Sequence, residues 1–87
     1  MEIIKRHGRK ERFDERKLYS SVYMAALIAE YGEKRSEKLA SLAVKILKKK
    51  VKNKTVTSDF LRKQIIAILN KKDKEVAFLY RTHLDVS

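Results

Sequence analysis

Apolar residues recur at helical spacing over most of the 87-residue chain, whereas its N-terminal segment follows a different pattern. Residues 2–13 predict a β-hairpin, because His7 and Gly8 supply a turn and glycine takes the positive φ that tight hairpins need. The remaining apolar residues predict a small bundle of about four helices. We therefore expect a mostly α-helical α+β fold, in which an N-terminal β-hairpin packs on the bundle, with residues 1–87 forming a single domain.

The first two helices are predicted from apolar spacing and from residues that suit helix ends. The first begins at Asp14, a good N-cap residue, and ends at Gly32, which suits a C-terminal stop. The second begins near Ser36 and frays into the basic segment 48–54. Their predicted buried residues are Leu18, Val22, Ala25, Ala26 and Ala29 in the first helix, and Leu39, Leu42, Ala43, Ile46 and Leu47 in the second.

The last two helices follow a second capping signal. Thr57 or Ser58 caps the third helix, and Asp59 in its first turn suits the positive end of the helix dipole. The fourth, shorter helix runs from about Asp73 to His83. Their predicted buried residues are Leu61, Ile65, Ile68 and Leu69 in the third helix, and Val76, Leu79 and Tyr80 in the fourth.

The predicted hairpin concentrates positive charge. With His7 and Gly8 as the two turn residues, like charges face each other across the strands, which is destabilising unless an anion lies among them. The predicted cross-strand pairs are Arg6 with Arg9, Lys5 with Lys10, and Ile4 with Glu11. A local conflict of this kind is typical of a functional site.

The overall charge also indicates a polyanionic partner. Lys and Arg number 22 against 11 Asp and Glu, a net charge of +11 with a pI near 10.0, which suits nucleotide phosphate, nucleic acid or an anionic membrane surface. Cysteine is absent, and no Ser/His/Asp or Cys/His arrangement indicates catalysis, so we expect no enzyme and no metal site. Without a signal peptide or a membrane-spanning run, we expect a cytoplasmic protein that does not associate with a membrane.

Two motifs resemble those of a known family. The segment "IIKRHGRKERFDERKL" is followed about forty residues later by "VTSDFL". Together with the order of the predicted elements, they resemble the ATP-cone, the regulatory nucleotide-binding domain of many ribonucleotide reductases and of the repressor of their genes. The matching positions are Ile3, Lys5, Arg6, His7, Gly8, Glu11, Lys17 and Leu18 in the first motif, and Val56, Thr57 and Ser58 in the second.

The resemblance implies that ATP or dATP binds between hairpin and helices, without chemistry on the nucleotide. It assigns the phosphates to Lys5, Arg6 and Thr57, and it places Lys17 near the ribose and phosphates. The charge of the hairpin supports the same assignment, because a triphosphate would form charge-assisted hydrogen bonds with its crowded cations. The N-terminus of the third helix, near Thr57 and Ser58, offers further N–H donors. Mg²⁺ would accompany the triphosphate, held mostly by phosphate oxygens and water.

The resemblance assigns recognition of the adenine to Glu11 and Asp14. A carboxylate at Glu11 accepts a hydrogen bond from the exocyclic amino group of adenine, and it disfavours guanine, which has a carbonyl there. The remaining residues that the resemblance places at the nucleotide are Ile3, Leu18, Phe60 and Leu61.

Three positions depart from the family pattern. His7 stands where an Asp or Asn is usual, Asp14 where some members carry Asn, and Leu61 where some reductases carry His. The last two positions leave the choice between ATP and dATP open.

Three functions are compatible with the sequence. The first is a free-standing regulatory module that senses ATP or dATP and changes its self-association or its contact with a partner, such as a ribonucleotide reductase or a transcription factor. The second is a basic nucleic-acid-binding module that uses the net charge and the lysines between Lys48 and Lys54. The third is a small interaction domain that has kept the cone fold without its ligand.

Overall fold

The computed structural model of the protein describes residues 2–4, 8–52 and 54–83. Within these ranges it has a small sheet and four helices, which confirms the predicted mostly helical α+β fold with an N-terminal hairpin. The elements are β1 (Glu2–Ile4), β2 (Lys10–Arg12), α1 (Glu15–Ile28), α2 (Glu33–Lys50), β3 (Thr55–Thr57), α3 (Ser58–Lys72) and α4 (Lys74–His83).

The sheet contains a strand that the sequence did not predict. Its order is β2-β1-β3, with β1 antiparallel to β2 and parallel to β3. Strand β3 has only three residues, a length at which local pattern does not distinguish a strand from the extended segment that leads into a helix cap. Because α3 follows β3 directly, the parallel pairing brings the N-terminus of α3 to the hairpin.

The predicted register of the hairpin is wrong by one residue. Glu11 lies opposite Ile3, and Lys10 lies opposite Ile4 rather than Lys5. The reason is burial: Phe13, which packs against the core, lies two residues after Glu11 and so on the same side as the buried Ile3, whereas the predicted register would have placed Lys10 and Arg12 on that side. Because a one-residue shift turns a strand over, packing of these apolar residues determines the register. Gly8 has the expected positive φ, 80°.

The predicted facing of Arg6 and Arg9 and the conformation of His7 lie outside the described residues.

The corner between α1 and α2 also differs from the prediction. Helix α1 ends at Ile28, and Glu30, not Gly32, takes the left-handed conformation after it, with φ 64°. The Glu30 N–H donates to the carbonyl of Leu27 at 2.9 Å and the Tyr31 N–H to that of Ala26 at 3.2 Å, the pattern of a Schellman motif. Gly32, with φ 79°, instead precedes α2, which begins earlier than expected, at Glu33.

The basic end of α2 is helical. It continues through Lys50, so the predicted fraying from Lys48 onward is wrong. Two buried side chains, Leu47 and Val51, anchor the last turn, and the cations lie at the negative end of the helix dipole. Lys48 Nζ also contacts a carboxylate oxygen of Glu15 at 2.9 Å.

Helices α3 and α4 begin where the sequence predicted. The Thr57 hydroxyl oxygen accepts a hydrogen bond from the Phe60 N–H at 3.1 Å, which makes Thr57 rather than Ser58 the cap. Asp73 caps α4 by accepting from the N–H groups of Glu75 and Val76 at 3.0 and 3.2 Å.

One core lies between the helices and the sheet, and α1 packs against both α2 and α4. Small residues such as Ala25, Ala26 and Ala40 are fully buried, which allows α1 and α2 to approach closely. The prediction of a buried Leu42 is wrong, since 36% of this residue is exposed. The buried face of α2 consists instead of Ser36, Ala40, Ala43, Val44 and Leu47. The predicted core residues that are only partly buried are Ala29, Leu39, Ile46, Leu61 and Leu79.

Within the described residues, no helix combines the length and apolarity that crossing a bilayer requires.

Candidate functional site

A cavity of about 470 Å³ opens between the hairpin and helices α1, α3 and α4. We call it the hairpin cavity. It lies within the size range typical of small-molecule sites. Its lining residues are Ile3, Glu11, Arg12, Phe13, Asp14, Arg16, Lys17, Leu18, Ser20, Ser21, Leu61, Ile65 and Tyr80.

The floor of the hairpin cavity is apolar. Ile3, Leu18, Ile65 and Tyr80 each contribute to it while remaining more than nine-tenths buried. They come from β1, α1, α3 and α4 respectively, so the floor exists only when all four elements are packed. Such a surface suits the flat apolar faces of an aromatic ligand.

Two carboxylates stand at the rim. Glu11 shares the face of the sheet with Ile3, its partner across the strands, and therefore faces the cavity. One Glu11 oxygen accepts from the Arg9 guanidinium at 2.6 Å. Asp14 caps α1, where its Oδ1 accepts from the Arg16 N–H at 3.0 Å. That hydrogen bond holds the carboxyl group at the start of α1.

Cations complete the rim. Arg12, Arg16 and Lys17 line the cavity and are exposed, so positive charge exceeds negative charge around the opening. Lys17 lies on the first turn of α1, one helical turn from Ser21, whose hydroxyl donates to the Lys17 carbonyl oxygen at 2.7 Å. The site therefore combines an apolar floor, two hydrogen-bond-accepting carboxylates and an excess of cations.

The structure brings together more than half of the residues predicted for the nucleotide site. Those that line the hairpin cavity are Ile3, Glu11, Asp14, Lys17, Leu18 and Leu61.

The other predicted residues lie elsewhere or are not described. Thr57 caps α3, Ser58 and Phe60 lie in its first turn, and none of the three is in the cavity lining as the described residues define it. Thr57 pairs with Ile4, the last residue of β1 before Lys5. Lys5 and Arg6 themselves lie outside the described residues.

Some lining residues were not predicted: Arg12, Phe13, Arg16, Ser20, Ser21, Ile65 and Tyr80. Helical periodicity could have identified Ser20 and Ser21, because they lie three and four positions after Lys17 on the same side of α1. Tyr80 had no such signal. It was correctly predicted to be buried, and only the packing of α4 against α1 brings it to the cavity.

The described residues contain no cluster of three or more His, Cys, Asp or Glu side chains suited to a metal ion.

Comparison with protein families identifies the family of the chain. The ATP cone domain family matches residues 1–83, almost the whole chain, and the protein therefore belongs to the ATP-cone family. ATP-cones are regulatory domains that bind ATP or dATP and are not catalytic. No match was found among curated proteins.

Proposed function

We propose that this protein binds ATP or dATP in the hairpin cavity without acting on it, and that the bound nucleotide changes self-association or contact with a regulated partner protein. The observation that carries the proposal is the position of Glu11 and Asp14 above an apolar floor, with Lys17 on the same rim. Membership of the ATP-cone family supports the same ligand class.

Adenine recognition would use the two carboxylates. Glu11 faces the same side of the sheet as the buried Ile3, so a base resting on the floor would meet a carboxylate oxygen at its edge. An oxygen of Glu11 or Asp14 would accept a hydrogen bond from the adenine amino group. Guanine has a carbonyl at that position, so two acceptor oxygens would face each other with no proton between them. We therefore expect adenine nucleotides to bind more tightly than GTP.

The phosphates would lie toward the cations and the start of α3. Lys17 and Arg16 supply positive charge at the rim, and the sequence motif adds Lys5 and Arg6. Pairing of Thr57 with Ile4 supports a role for the α3 N-terminus, because it holds the Thr57 and Ser58 region next to the residue that leads into Lys5. Mg²⁺ would be held by the phosphate oxygens and water rather than by protein ligands.

The regulated partner would be a ribonucleotide reductase, a transcription factor or another copy of the chain. A ligand shifts such an equilibrium only when it binds one state more tightly than the other. A bound nucleotide would favour one state by restricting the relative placement of the hairpin and the three helices that form the cavity walls.

Isothermal titration with ATP, dATP and GTP, in the presence of Mg²⁺, tests the proposal with a matched pair of variants. Glu11→Gln should lower the preference for ATP over GTP by about tenfold or more, since an amide can donate to the guanine carbonyl. Glu15→Gln removes the same charge four residues later, at an exposed position outside the cavity lining, and should leave that preference unchanged.

Equal effects of the two variants would mean that Glu11 acts through net charge alone. Absence of nucleotide binding by the unmodified protein would overturn the proposal itself. Measuring mass in solution with and without ATP then tests the regulatory part, which requires a nucleotide-dependent change in assembly or in partner binding.

A further inference from the structure

A second concave surface runs along the outside of α1 and α2. Two hollows of about 540 and 430 Å³ lie side by side there and share Tyr19, Ser41 and Lys45, so they form one continuous groove. We call it the interhelical groove. Its lining residues are Glu15, Tyr19, Lys34, Glu37, Lys38, Ser41, Leu42, Val44, Lys45, Lys48 and Lys49.

A row of lysines forms one wall of the groove. Lys34, Lys38, Lys45 and Lys49 recur at helical spacing on α2, and all four are exposed. At 1.5 Å per residue the row extends over roughly 22 Å. Helix α2 carries seven basic and two acidic residues, so the positive charge is concentrated on this element.

Interactions within the protein stabilise only some of these lysines. Lys48 pairs with Glu15, and the cations of the last turn suit the helix dipole. Lys34, however, lies in the first turn of α2, where the dipole disfavours positive charge, and Lys38 lies too far from the C-terminal end to be stabilised by the dipole. Glu37 also lines the groove and offsets one cation. The remaining lysines still form a net positive wall.

The other wall and the floor are partly apolar. Tyr19 is half-buried and lines both hollows, and its ring lies 6.2 Å from that of Tyr23. Leu42, expected in the core, is instead exposed in the groove. Cations beside a partly exposed aromatic ring form a surface that suits both the charged backbone and the flat bases of a polynucleotide.

We propose that the interhelical groove binds single-stranded nucleic acid, with the lysine wall contacting phosphates and Tyr19 contacting a base. A duplex hides its base faces and would leave Tyr19 and Leu42 without a role. An acidic protein is a poorer fit, because arginine forks recognise carboxylates more specifically than lysines do. Arg35, the arginine of α2, is directed elsewhere and lies 3.9 Å from the centre of the Tyr31 ring.

The groove and the hairpin cavity are different surfaces of α1. The cavity uses Asp14, Lys17 and Ser21, whereas the groove uses Glu15 and Tyr19 on the other side of the helix. The proposal does not require nucleotide binding, so its test is made without ATP.

Fluorescence anisotropy with labelled oligothymidylate of about 12 nucleotides, a duplex of the same length and an oligoglutamate peptide distinguishes the occupants. The groove variant replaces Lys38, Lys45 and Lys49 with glutamate. The control replaces Lys63, Lys71 and Lys74, which are exposed on α3 and α4, and changes the net charge equally. Circular dichroism verifies that both variants are folded. If charge reversal unfolds the chain, the same three lysines of each set are replaced with glutamine instead.

We expect the groove variant to bind the single strand at least tenfold more weakly, and the control to change affinity by no more than about threefold. Neutralising three phosphate contacts should also lower the salt dependence of binding by about two units of the logarithmic slope. Tyr19→Leu should weaken single-strand binding by about tenfold and leave duplex binding unchanged. Equal losses in both triple variants, tighter binding of the duplex or the peptide, or an unchanged affinity in Tyr19→Leu would each overturn the proposal.

Discussion

The hydroxyl group of Tyr31 donates a hydrogen bond to Oδ2 of Asp73, joining two positions 42 residues apart in the chain. Tyr31 lies at the corner between α1 and α2, and Asp73 lies at the junction of α3 and α4. The other oxygen of Asp73 caps α4, and Arg35 lies 3.7 Å from Oδ2. One carboxylate therefore connects both helical hairpins at one end of the bundle.

Loss of the Tyr31 hydroxyl should destabilise the fold. Tyr31→Phe keeps the ring beneath Arg35 and removes only the donor, so we expect the free energy of unfolding to fall by about 1–2 kcal/mol, a typical value for a partly buried hydrogen bond to a charged group. Denaturation by urea measures this change. Tyr23→Phe is the matched control, because the Tyr23 hydroxyl makes no hydrogen bond within the described residues, and it should cost much less. Equal costs would show that the contact contributes little.

The same contact predicts a loss of stability at alkaline pH. The hydrogen bond to Asp73, followed by burial and by the negative charge of that carboxylate, raises the pKa of Tyr31 from 10.0 to about 12. Between these values the unfolded chain has released the tyrosine proton and the folded protein has kept it. The unfolded state then binds fewer protons, so the free energy of unfolding falls as pH rises from about 10 to about 12.

The measurement compares unfolding of the unmodified protein and Tyr31→Phe from pH 8 upward. The free energy of unfolding of Tyr31→Phe is subtracted from that of the unmodified protein, because Tyr23 also contributes to the pH dependence of both. Burial, with smaller effects of Glu33 and Glu37, raises the pKa of Tyr23. We expect the advantage of the unmodified protein to be constant below pH 10 and to shrink above it. An advantage that persisted unchanged to pH 12 would contradict the assignment.

Glu30 occupies a position that suits glycine. Its φ of 64° is unfavourable for a side chain with a Cβ, and the left-handed position of a Schellman motif is most often glycine. Glu30→Gly should therefore raise the free energy of unfolding by about 0.5–1 kcal/mol. Glu37→Gly, inside α2, removes the same side chain from helical backbone and should lower it by about 1 kcal/mol. Thermal unfolding of both variants shows whether the two changes in the free energy of unfolding have opposite signs.

Asp14 has two separable roles in the structure and in the proposal. Asp14→Ala removes the cap of α1 and should destabilise the protein by about 1 kcal/mol, whereas Asp14→Asn keeps a capping oxygen and should cost far less. If Asp14 also forms a hydrogen bond with the base, Asp14→Asn will change the ratio of ATP to GTP affinity while the free energy of unfolding stays nearly unchanged. Unfolding curves and nucleotide titration of the two variants distinguish a cap from a base contact.

Much of the candidate site was predictable because its signals are local. Glu11, Asp14, Lys17 and Leu18 were assigned to the site because a short segment resembles the ATP-cone motif, and all four line the hairpin cavity. Tyr80 was missed as a site residue because a buried aromatic on a helix carries no sign of which cavity it borders. Its position depends on how α4 packs against α1.

The sequence by itself determined the local features: the helices, the cap at Asp14, the hairpin and the excess of positive charge. Each depends on residues a few positions apart, whose backbone preferences and hydrogen bonds are set within one or two turns. Only the tertiary structure decided the pairing of β1 with β3, the hairpin register, the exposure of Leu42 and the link between Tyr31 and Asp73. These depend on which distant surfaces pack together to bury apolar area, a property of the whole chain rather than of any segment.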